Sequence, residues 1–219
     1  MKIAGSGTIG AGEYDKISIS GSGKIIGNVR CKNFSTAGAI SGSGTIECEE
    51  KLSVSGSAKI DGDIKSDKIG ISGTLKCGNI KCTTFKSAGL TKEDGNIEAE
   101  EFSSSGGIVV PGLINAEKVT IKISGSISIG CIGGNEIVIK QEKGRVTRLP
   151  LISKLFNSCD SGANIETIEG NTIAIEYVKA KSVTGTIVAI GEGCEIETVQ
   201  YSGEIEISPN ATVKNVIKM

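Results

Sequence analysis

The hydrophobic residues of the first half of the chain recur with a period of about 17 residues. Six glycines mark this period, with successive spacings of 17, 18, 16, 17 and 17: Gly27, Gly44, Gly62, Gly78, Gly95 and Gly112. Two residues after each glycine stands a branched aliphatic residue: Val29, Ile46, Ile64, Ile80, Ile97 and Ile114. Two residues further on stands a small residue: Cys31, Cys48, Ser66, Cys82, Ala99 and Ala116. A fixed period of this length predicts a repeat architecture.

The spacing of two within each repeat predicts a β-strand. Because side chains in a strand alternate between its two faces, each segment directs its aliphatic and small residues to the interior. The intervening residues are mostly polar and are expected to face water: Asn28, Thr45, Asp63, Asn79, Asn96 and Leu113. A further apolar column predicts a second strand in each repeat: Phe34, Leu52, Ile69, Phe85, Phe102 and Val119. Glycines at 38, 56, 73, 89 and 106 mark the corner that follows.

Similar residues recur at equivalent positions in six successive units, and this recurrence favours one of two β architectures over the other. An antiparallel sandwich would need hairpin returns and would not place like residues beneath one another. A coil of parallel strands does so, with each turn hydrogen-bonded to the next at a rise of about 4.8 Å. The expected fold is therefore all-β, a right-handed parallel β-helix with turns of about 17 residues. Cysteines at the small inward positions are expected to be reduced packing residues.

The repeat is interrupted after Ile139. Residues 140–163 lack period-two alternation, and Leu149–Phe156 has the apolar spacing of a short helix. The segment also holds a basic cluster that is either a solvated face or a partner site: Lys140, Lys143, Arg145, Arg148 and Lys154. The repeat resumes afterwards, since residues 190–199 align with residues 207–216 at a spacing of 17. We predict an N-terminal β-helix at 1–139, an insertion or linker at 140–163 and C-terminal β-helix turns at 164–219; whether both coils form one stack stays open.

Composition and charge exclude several classes of function. The chain carries 24 basic and 25 acidic side chains, so no global field attracts nucleic acid or an anionic membrane. No apolar run is long enough to span a bilayer, and the N-terminal residues lack the apolar core of a signal peptide, which together predict a cytoplasmic protein. Seven cysteines without a Cys-x-x-Cys pair, and no histidine, leave no recognisable zinc site. No metal, cofactor, nucleic acid or small-molecule substrate is expected.

Motifs for catalysis are weak. The Gly5–Gly10 segment has the spacing of a dinucleotide loop, but only four residues precede it and more β repeat follows, so a corner of the repeat is expected there. Left-handed β-helix acyltransferases use a hexapeptide period and a catalytic histidine, and this sequence has neither. Polysaccharide-processing β-helices carry clustered acids. Asp61 and Asp63 flank Gly62, but the neighbouring turns do not repeat them. No catalytic residue is predicted.

The amino-acid sequence of the repeats resembles that of a known family. Residues 23–31 (GKIIGNVRC), 51–82 and 178–203 look like the bactofilins, the polymer-forming bacterial cytoskeletal proteins, and the C-terminal part is similar to longer, Firmicutes-type members. The resemblance implies a right-handed β-helix that polymerises end to end without nucleotide, often at the membrane, as a scaffold for cell shape or envelope structures. Members typically have unstructured tails around one short β-helix, whereas here the repeat begins almost at Met1, which puts tail-based membrane binding in doubt.

The open ends of a β-helix indicate how assembly would occur. Each end presents unpaired backbone N–H and C=O groups, and Ile3, Val213, Val216 and Ile217 are the apolar residues expected there. We predict a non-enzymatic scaffold whose partner is itself, with a peripheral membrane or envelope protein as a possible second partner. Two alternatives stay open: a monomeric adaptor that recruits a partner through residues 140–163, and a β-helix that binds or processes polysaccharide.

Overall fold

The computed structural model describes residues 1–141 and 162–219, which form a parallel β-solenoid of about 12 turns. The strands in these ranges are β1 (Lys2–Ile3), β2 (Ser6–Ile19), β3 (Ser22–Thr36), β4 (Ala39–Ser43), β5 (Ile46–Val54), β6 (Ser57–Ile60), β7 (Ile64–Ile71), β8 (Thr74–Cys77), β9 (Ile80–Ser87), β10 (Leu90–Glu93), β11 (Ile97–Ser104), β12 (Gly107–Ile123), β13 (Ile127–Gln141), β14 (Ala163–Ile175), β15 (Val178–Ile190), β16 (Glu195–Ile207) and β17 (Thr212–Lys218). All their pairings are parallel, which confirms the predicted β-helix.

Each turn has three straight segments, where the sequence pattern identified two. In the turn of residues 74–87 these are Thr74–Cys77, Ile80–Cys82 and Thr84–Ser87, and each pairs in register with its counterpart in the next turn. The short segment Thr74–Cys77 was missed because it lies between two glycine corners and spans only four residues. We call the outer surfaces of these segments the first, second and third faces, in chain order.

The predicted inward columns form the core. The aliphatic column from Val29 to Ile114 and the column from Phe34 to Val119 are both buried. Phe85 and Phe102 occupy successive turns, and their rings stack with centroids 5.0 Å apart. Parallel pairing in register puts each side chain directly above its counterpart, so the interior fills by stacking identical or similar residues.

The coil continues across the gap between the two described ranges. Strand β13 pairs with β14 in parallel from Ile127↔Ala163 to Ile139↔Ile175. The two β-helix segments therefore belong to one stack, a question that the sequence left open.

Of the predicted insertion, Lys140 and Gln141 lie in β13 and Ala163 begins β14. The predicted helix at 149–156 and the basic residues Lys143, Arg145, Arg148 and Lys154 lie outside the described residues. Gly5 lies at the corner between the third and first faces, beneath Gly21 of the next turn, and residues 6–10 continue from that corner as the start of strand β2.

The corner glycines are required by close backbone approach. A Cβ atom on Gly89 would lie 1.9 Å from the carbonyl oxygen of Gly73 in the preceding turn, and a Cβ on Gly73 would lie 1.9 Å from that of Gly56. No side chain fits at that distance, because real Cβ contacts are longer than 3.0 Å. In the N-terminal turns the corners between the third and first faces can therefore stack this closely only as glycine, whereas the corner before β15 carries Tyr177 with a positive φ.

The exposed polar column forms a ladder of amide side chains at the corner between the first and second faces. Asn96 Oδ1 accepts the backbone N–H of Leu113 at 2.8 Å, and Asn79 Oδ1 accepts that of Asn96 at 2.9 Å. Asp63 Oδ1 accepts the N–H of Asn79 in the same way. These side chains face water, as predicted, and they also bond one turn to the next. A Cβ on Gly112 would lie 2.4 Å from Asn96 Oδ1, which explains the glycine beside the ladder.

The same corner carries ion pairs in the C-terminal turns. Lys181 pairs with Glu166 at 2.9 Å, and Lys214 pairs with Glu197 at 3.6 Å. These turns are shorter, since Ala163 aligns with Val178 at an offset of 15 residues. Side chains therefore connect adjacent turns at this corner in both parts of the coil. They do so by amide hydrogen bonds in the N-terminal turns and by ion pairs in the C-terminal turns.

Replacing Gly89 with alanine is expected to destabilise the solenoid strongly, by about 3 kcal/mol or more, because its Cβ would displace the backbone of the preceding turn. Gly70→Ala is the matched control, since a Cβ there meets no atom within 4 Å. Denaturant unfolding of both variants checks the prediction. Equal stability of the two variants would contradict the close-approach explanation.

Replacing Asn96 with alanine is expected to cost about 0.5–2 kcal/mol, because the backbone N–H of Leu113 loses its acceptor. Asn115→Ala provides the comparison, since Asn115 is also exposed but accepts no backbone N–H among the described residues. Thermal unfolding of the two variants measures the difference. If Asn115→Ala is as destabilising as Asn96→Ala, the hydrogen bonds of the ladder do not contribute specifically to the free energy of unfolding.

Candidate functional site

The C-terminal end of the solenoid exposes residues that are buried in every preceding turn. Val199 is 0% exposed, whereas Val216, its counterpart in the last turn, is 48% exposed. Ile190 is 2% exposed and its counterpart Ile207 is 37% exposed. Strand β17 pairs only with β16 among the described residues, so one of its backbone edges is also free. This end combines unpaired backbone groups with uncovered core residues.

The opposite end is more closed. Ile9 in the first full turn is completely buried, and Ile3 lies over Gly7. The hydroxyl of Tyr14 donates to the carbonyl oxygen of Gly10 at 3.0 Å, which fixes the phenol beside the end. Residues 6–14 of β2 have no strand on their outer side in the described chain. This end therefore offers a backbone edge with little apolar surface.

The four sequence-predicted end residues differ in their positions. Val213 continues an inward column below Ile196 and is half-buried, and Val216 lies at the uncovered end. Ile217 pairs with Gln200 and points outward on the second face. Ile3 is 8% exposed and belongs to the core. The sequence pattern did not identify Ile205 and Ile207 as residues of this end. Each stands 17 residues after its buried counterpart in β15, Val188 or Ile190, so extending the inward columns would have found both.

A groove runs along the corner between the second and third faces. Its volume is about 650 Å³, and its floor is the column of small residues Cys48, Ser66, Cys82 and Ala99. Charged residues line both sides, among them Lys65 and Lys81 on the second face and Glu49, Asp67 and Glu100 at the corner. A side-chain hydrogen bond from Thr83 and the neighbouring Lys68 lower the pKa of Asp67. Aromatic residues, which polysaccharide grooves use as platforms, do not line it.

The cysteines of this column pack as small residues. Cys31 and Cys48 are buried, as predicted, and Cys82 is partly buried. A hydrogen bond with the Cys31 thiol lowers the pKa of Cys48 and raises that of Cys31, and burial raises both. The Cys48 sulfur lies 3.1 Å from the carbonyl oxygens of both Lys32 and Lys51, and donation of its one S–H to either of them favours its protonated form. In the described residues these thiols form no disulfide and no cluster fit for a metal ion.

A buried carboxyl interrupts the apolar core in the middle of the stack. Glu93 is 1% exposed, accepts a hydrogen bond from the Cys77 thiol at 2.8 Å, and has a second carboxyl oxygen without a partner. Burial raises the pKa of Glu93 to about 8, and Asp94 adds to the shift. Thr91 and Ser87 nearby hydrogen-bond to each other at 3.0 Å. The sequence pattern missed Glu93, whose inward position follows from its alternation with Thr91.

Comparison with protein families gives a direct match to one of them. The family model described as "Bactofilin: Polymer-forming cytoskeletal" matches residues 1–77 and 42–114, which together run from the N-terminal turn into strand β12. The chain belongs to the bactofilin family. The resemblance noted in its repeats is thereby confirmed. The family is a polymer-forming cytoskeletal one, and the ends and side faces of this bactofilin are accordingly its main candidate contact surfaces.

Two curated relatives of this bactofilin come from Bacillus subtilis (strain 168). It is 37% identical over 111 residues to the uncharacterized protein YhbE, covering 50% of this chain and 44% of the relative. It is 28% identical over 109 residues to the uncharacterized protein YhbF, covering 49% and 42%. The chain thus spans less than half the length of these relatives. No solved structure matches it. Within residues 1–141 and 162–219 there is no helix of the length and apolarity that crossing a bilayer requires.

Replacing Glu93 with glutamine in this bactofilin is expected to raise the free energy of unfolding at pH 8 by about 2–5 kcal/mol. The pKa of Glu93 is about 8 when folded, against an ordinary value of 4.5, so its protonated form contributes stability below pH 4.5. That stability is lost progressively as the pH rises to 8, whereas glutamine does not titrate. Denaturant unfolding at pH 5 and pH 8 checks this, with the exposed Glu101→Gln as control. A stability gain at pH 8 no larger than that at pH 5 would contradict it.

Proposed function

We propose that this bactofilin is a non-enzymatic cytoskeletal scaffold that assembles end to end without nucleotide. The observation that carries the proposal is the uncovered C-terminal end, where inward columns that are buried throughout the coil become exposed at Val216 and Ile207. The family supports polymer formation in general terms. The partner is a further copy of the chain, and no cofactor or substrate takes part.

The contact follows from the way each turn already binds the next. Inside the coil, a turn satisfies its backbone groups on the neighbouring turn and buries its aliphatic columns beneath the columns above. The last turn has the same edge and the same columns but no neighbour in the described chain. A second molecule stacked on this end would pair the free edge of β17 and cover Val213 and Val216. Stacking of this kind would extend the solenoid through the same backbone hydrogen bonds and apolar contacts that join its own turns.

Nucleotide is not needed to drive this assembly. The contact gains its free energy from apolar burial and backbone hydrogen bonds, which need no phosphate chemistry. The glycine-rich segment that matches a dinucleotide loop is mostly strand β2 and has no helix after it. We place the scaffold in the cytoplasm, with a membrane or envelope-protein contact as an additional interaction.

Val213→Asp with Val216→Asp is expected to abolish filaments or raise the critical concentration at least about tenfold, because stacking would bury two carboxylates. Pelleting and negative-stain electron microscopy measure assembly with and without ATP or GTP. Ile217→Asp is the matched control: it lies on the same strand but points outward, so filaments should persist.

Two results would count against this proposal. Filaments that form normally from the Val213→Asp, Val216→Asp variant would exclude the C-terminal end as the contact. A wild-type chain that sediments as a monomer at all concentrations would favour the adaptor function instead. Circular dichroism of each variant excludes misfolding as the cause of lost assembly.

A further inference from the structure

Two cysteines of the N-terminal turns lie directly above one another inside the coil. Cys31 of β3 and Cys48 of β5 are register partners in adjacent parallel strands, and both side chains point inward, 2% and 4% exposed. No other two cysteines of the described residues are register partners; Cys82, further along the same column, pairs with Ser66. Cys31 and Cys48 are therefore a pair of neighbouring thiols.

The strand spacing brings the two cysteines within reach of a disulfide bond. Neighbouring strands of a sheet lie about 4.8 Å apart, and disulfides join residues whose Cα atoms are about 4.4–6.8 Å apart. The Cβ atoms of a disulfide are about 3.5–4.5 Å apart, which is slightly less than the strand spacing. A bond between Cys31 and Cys48 thus needs only a small local shift of one strand towards the other.

A β-bulge directly after Cys48 supplies the freedom for this shift. Two residues separate Cys48 from Lys51, whereas one residue separates their register partners in each of the neighbouring turns. The turn of Cys48 therefore has one more residue at this corner than the turns on both sides of it. Bulges disrupt the hydrogen-bond ladder locally, re-aim side chains and are over-represented beside functional sites.

The Cys48 sulfur has hydrogen-bond partners in both of its protonation states. The two carbonyl oxygens near it accept the proton of the thiol form. The thiolate form is stabilised most by the Cys31 thiol, and burial opposes it. Three further donors also stabilise the thiolate, the Ser66 hydroxyl and the backbone N–H groups of Phe34 and Lys51, so that the pKa of Cys48 falls to about 6. Because the thiolate is the nucleophilic form of cysteine, Cys48 is the nucleophile of the pair.

The groove between the second and third faces gives a small reagent a route to this pair. Cys48 lies in the floor of the groove, whereas Cys31 is not one of its lining residues. The carboxylates of Glu47 and Glu49 also line the groove, and they disfavour the approach of anionic reagents. A small neutral oxidant such as hydrogen peroxide fits these constraints and meets Cys48 first.

We propose that Cys48 and Cys31 are a redox-sensitive pair, which hydrogen peroxide converts into a disulfide that joins the turns of β3 and β5. The Cys48 thiolate attacks one peroxide oxygen and the O–O bond breaks, which gives a sulfenic acid on Cys48 and a hydroxide ion that takes up a proton. The Cys31 thiol then loses its proton, and its sulfur displaces the sulfenic oxygen as water. The two thiols lose two electrons in total, and the peroxide is reduced to two water molecules.

The disulfide would act as a staple near the N-terminal end of the coil. It would add a covalent bond between two turns that are otherwise held together by backbone hydrogen bonds and apolar contacts, and it would restrict the unfolded chain. The C-terminal end of the coil takes no part in this chemistry. The inference therefore goes beyond the proposed assembly and does not depend on it.

Peptide mapping of the full chain under non-reducing conditions tests the proposal. Trypsin cleaves after Arg30, Lys32 and Lys51, so a disulfide between Cys31 and Cys48 appears in mass spectra as one linked pair of peptides. Stoichiometric hydrogen peroxide should produce this pair from the folded wild-type chain. The midpoint of denaturant unfolding should move to a higher concentration, and dithiothreitol should reverse both changes.

Three single variants assign the role of each cysteine. Cys31→Ser should leave a sulfenic acid on Cys48, which dimedone traps. Cys48→Ser should slow the oxidation of Cys31 by peroxide at least about tenfold, because the nucleophile is lost. Cys82→Ser is the matched control: Cys82 belongs to the same column but pairs with Ser66, so the disulfide should form as in the wild-type chain.

Three results would overturn the proposal. The first is linked peptides that join other cysteines, and the second is oxidation confined to the exposed Cys131. The third is a disulfide between Cys31 and Cys48 that forms only in denaturant, since the fold would then have no part in it. The mapping of the wild-type chain requires no substitution, so the main test stands even if a variant does not fold.

Discussion

Parallel hydrogen bonding of each turn to the one before it, in register, is the interaction on which the rest of this structure depends. It places every residue above its counterpart and thereby turns the sequence period into columns. An inward column is mostly apolar or small, with the buried Glu93 as an exception, a corner column must leave room for the backbone of the next turn, and many outward charges pair between adjacent turns. The glycines at Gly73 and Gly89 and the amides at Asn79 and Asn96 are consequences of that one spacing.

The same constraint explains why the surfaces of the coil matter more than any pocket. A repeat that is bonded on both sides has no strong tendency to associate, whereas the turn of β17 retains the edge and columns of an internal turn without a second neighbour among the described residues.

Much of the fold was predictable from the sequence, because the columns beginning at Val29 and Phe34 repeat with few exceptions. The first face was missed, since segments such as Thr74–Cys77 are only four residues long and carry a weaker apolar signal. The inward position of Glu93 was also missed, because a carboxylate in a strand is ordinarily read as exposed. For the candidate ends, Val213 and Val216 were predictable from periodicity, whereas the outward direction of Ile217 and the burial of Ile3 required the strand register.

The central claim is that the polymer continues the solenoid along its own axis. X-ray fibre diffraction from aligned filaments tests this most directly, because the turn spacing gives a strong reflection near 4.8 Å. End-to-end stacking predicts that this reflection lies on the meridian, parallel to the filament axis. A reflection of that spacing on the equator would show that the solenoids lie across the filament, and it would contradict the account.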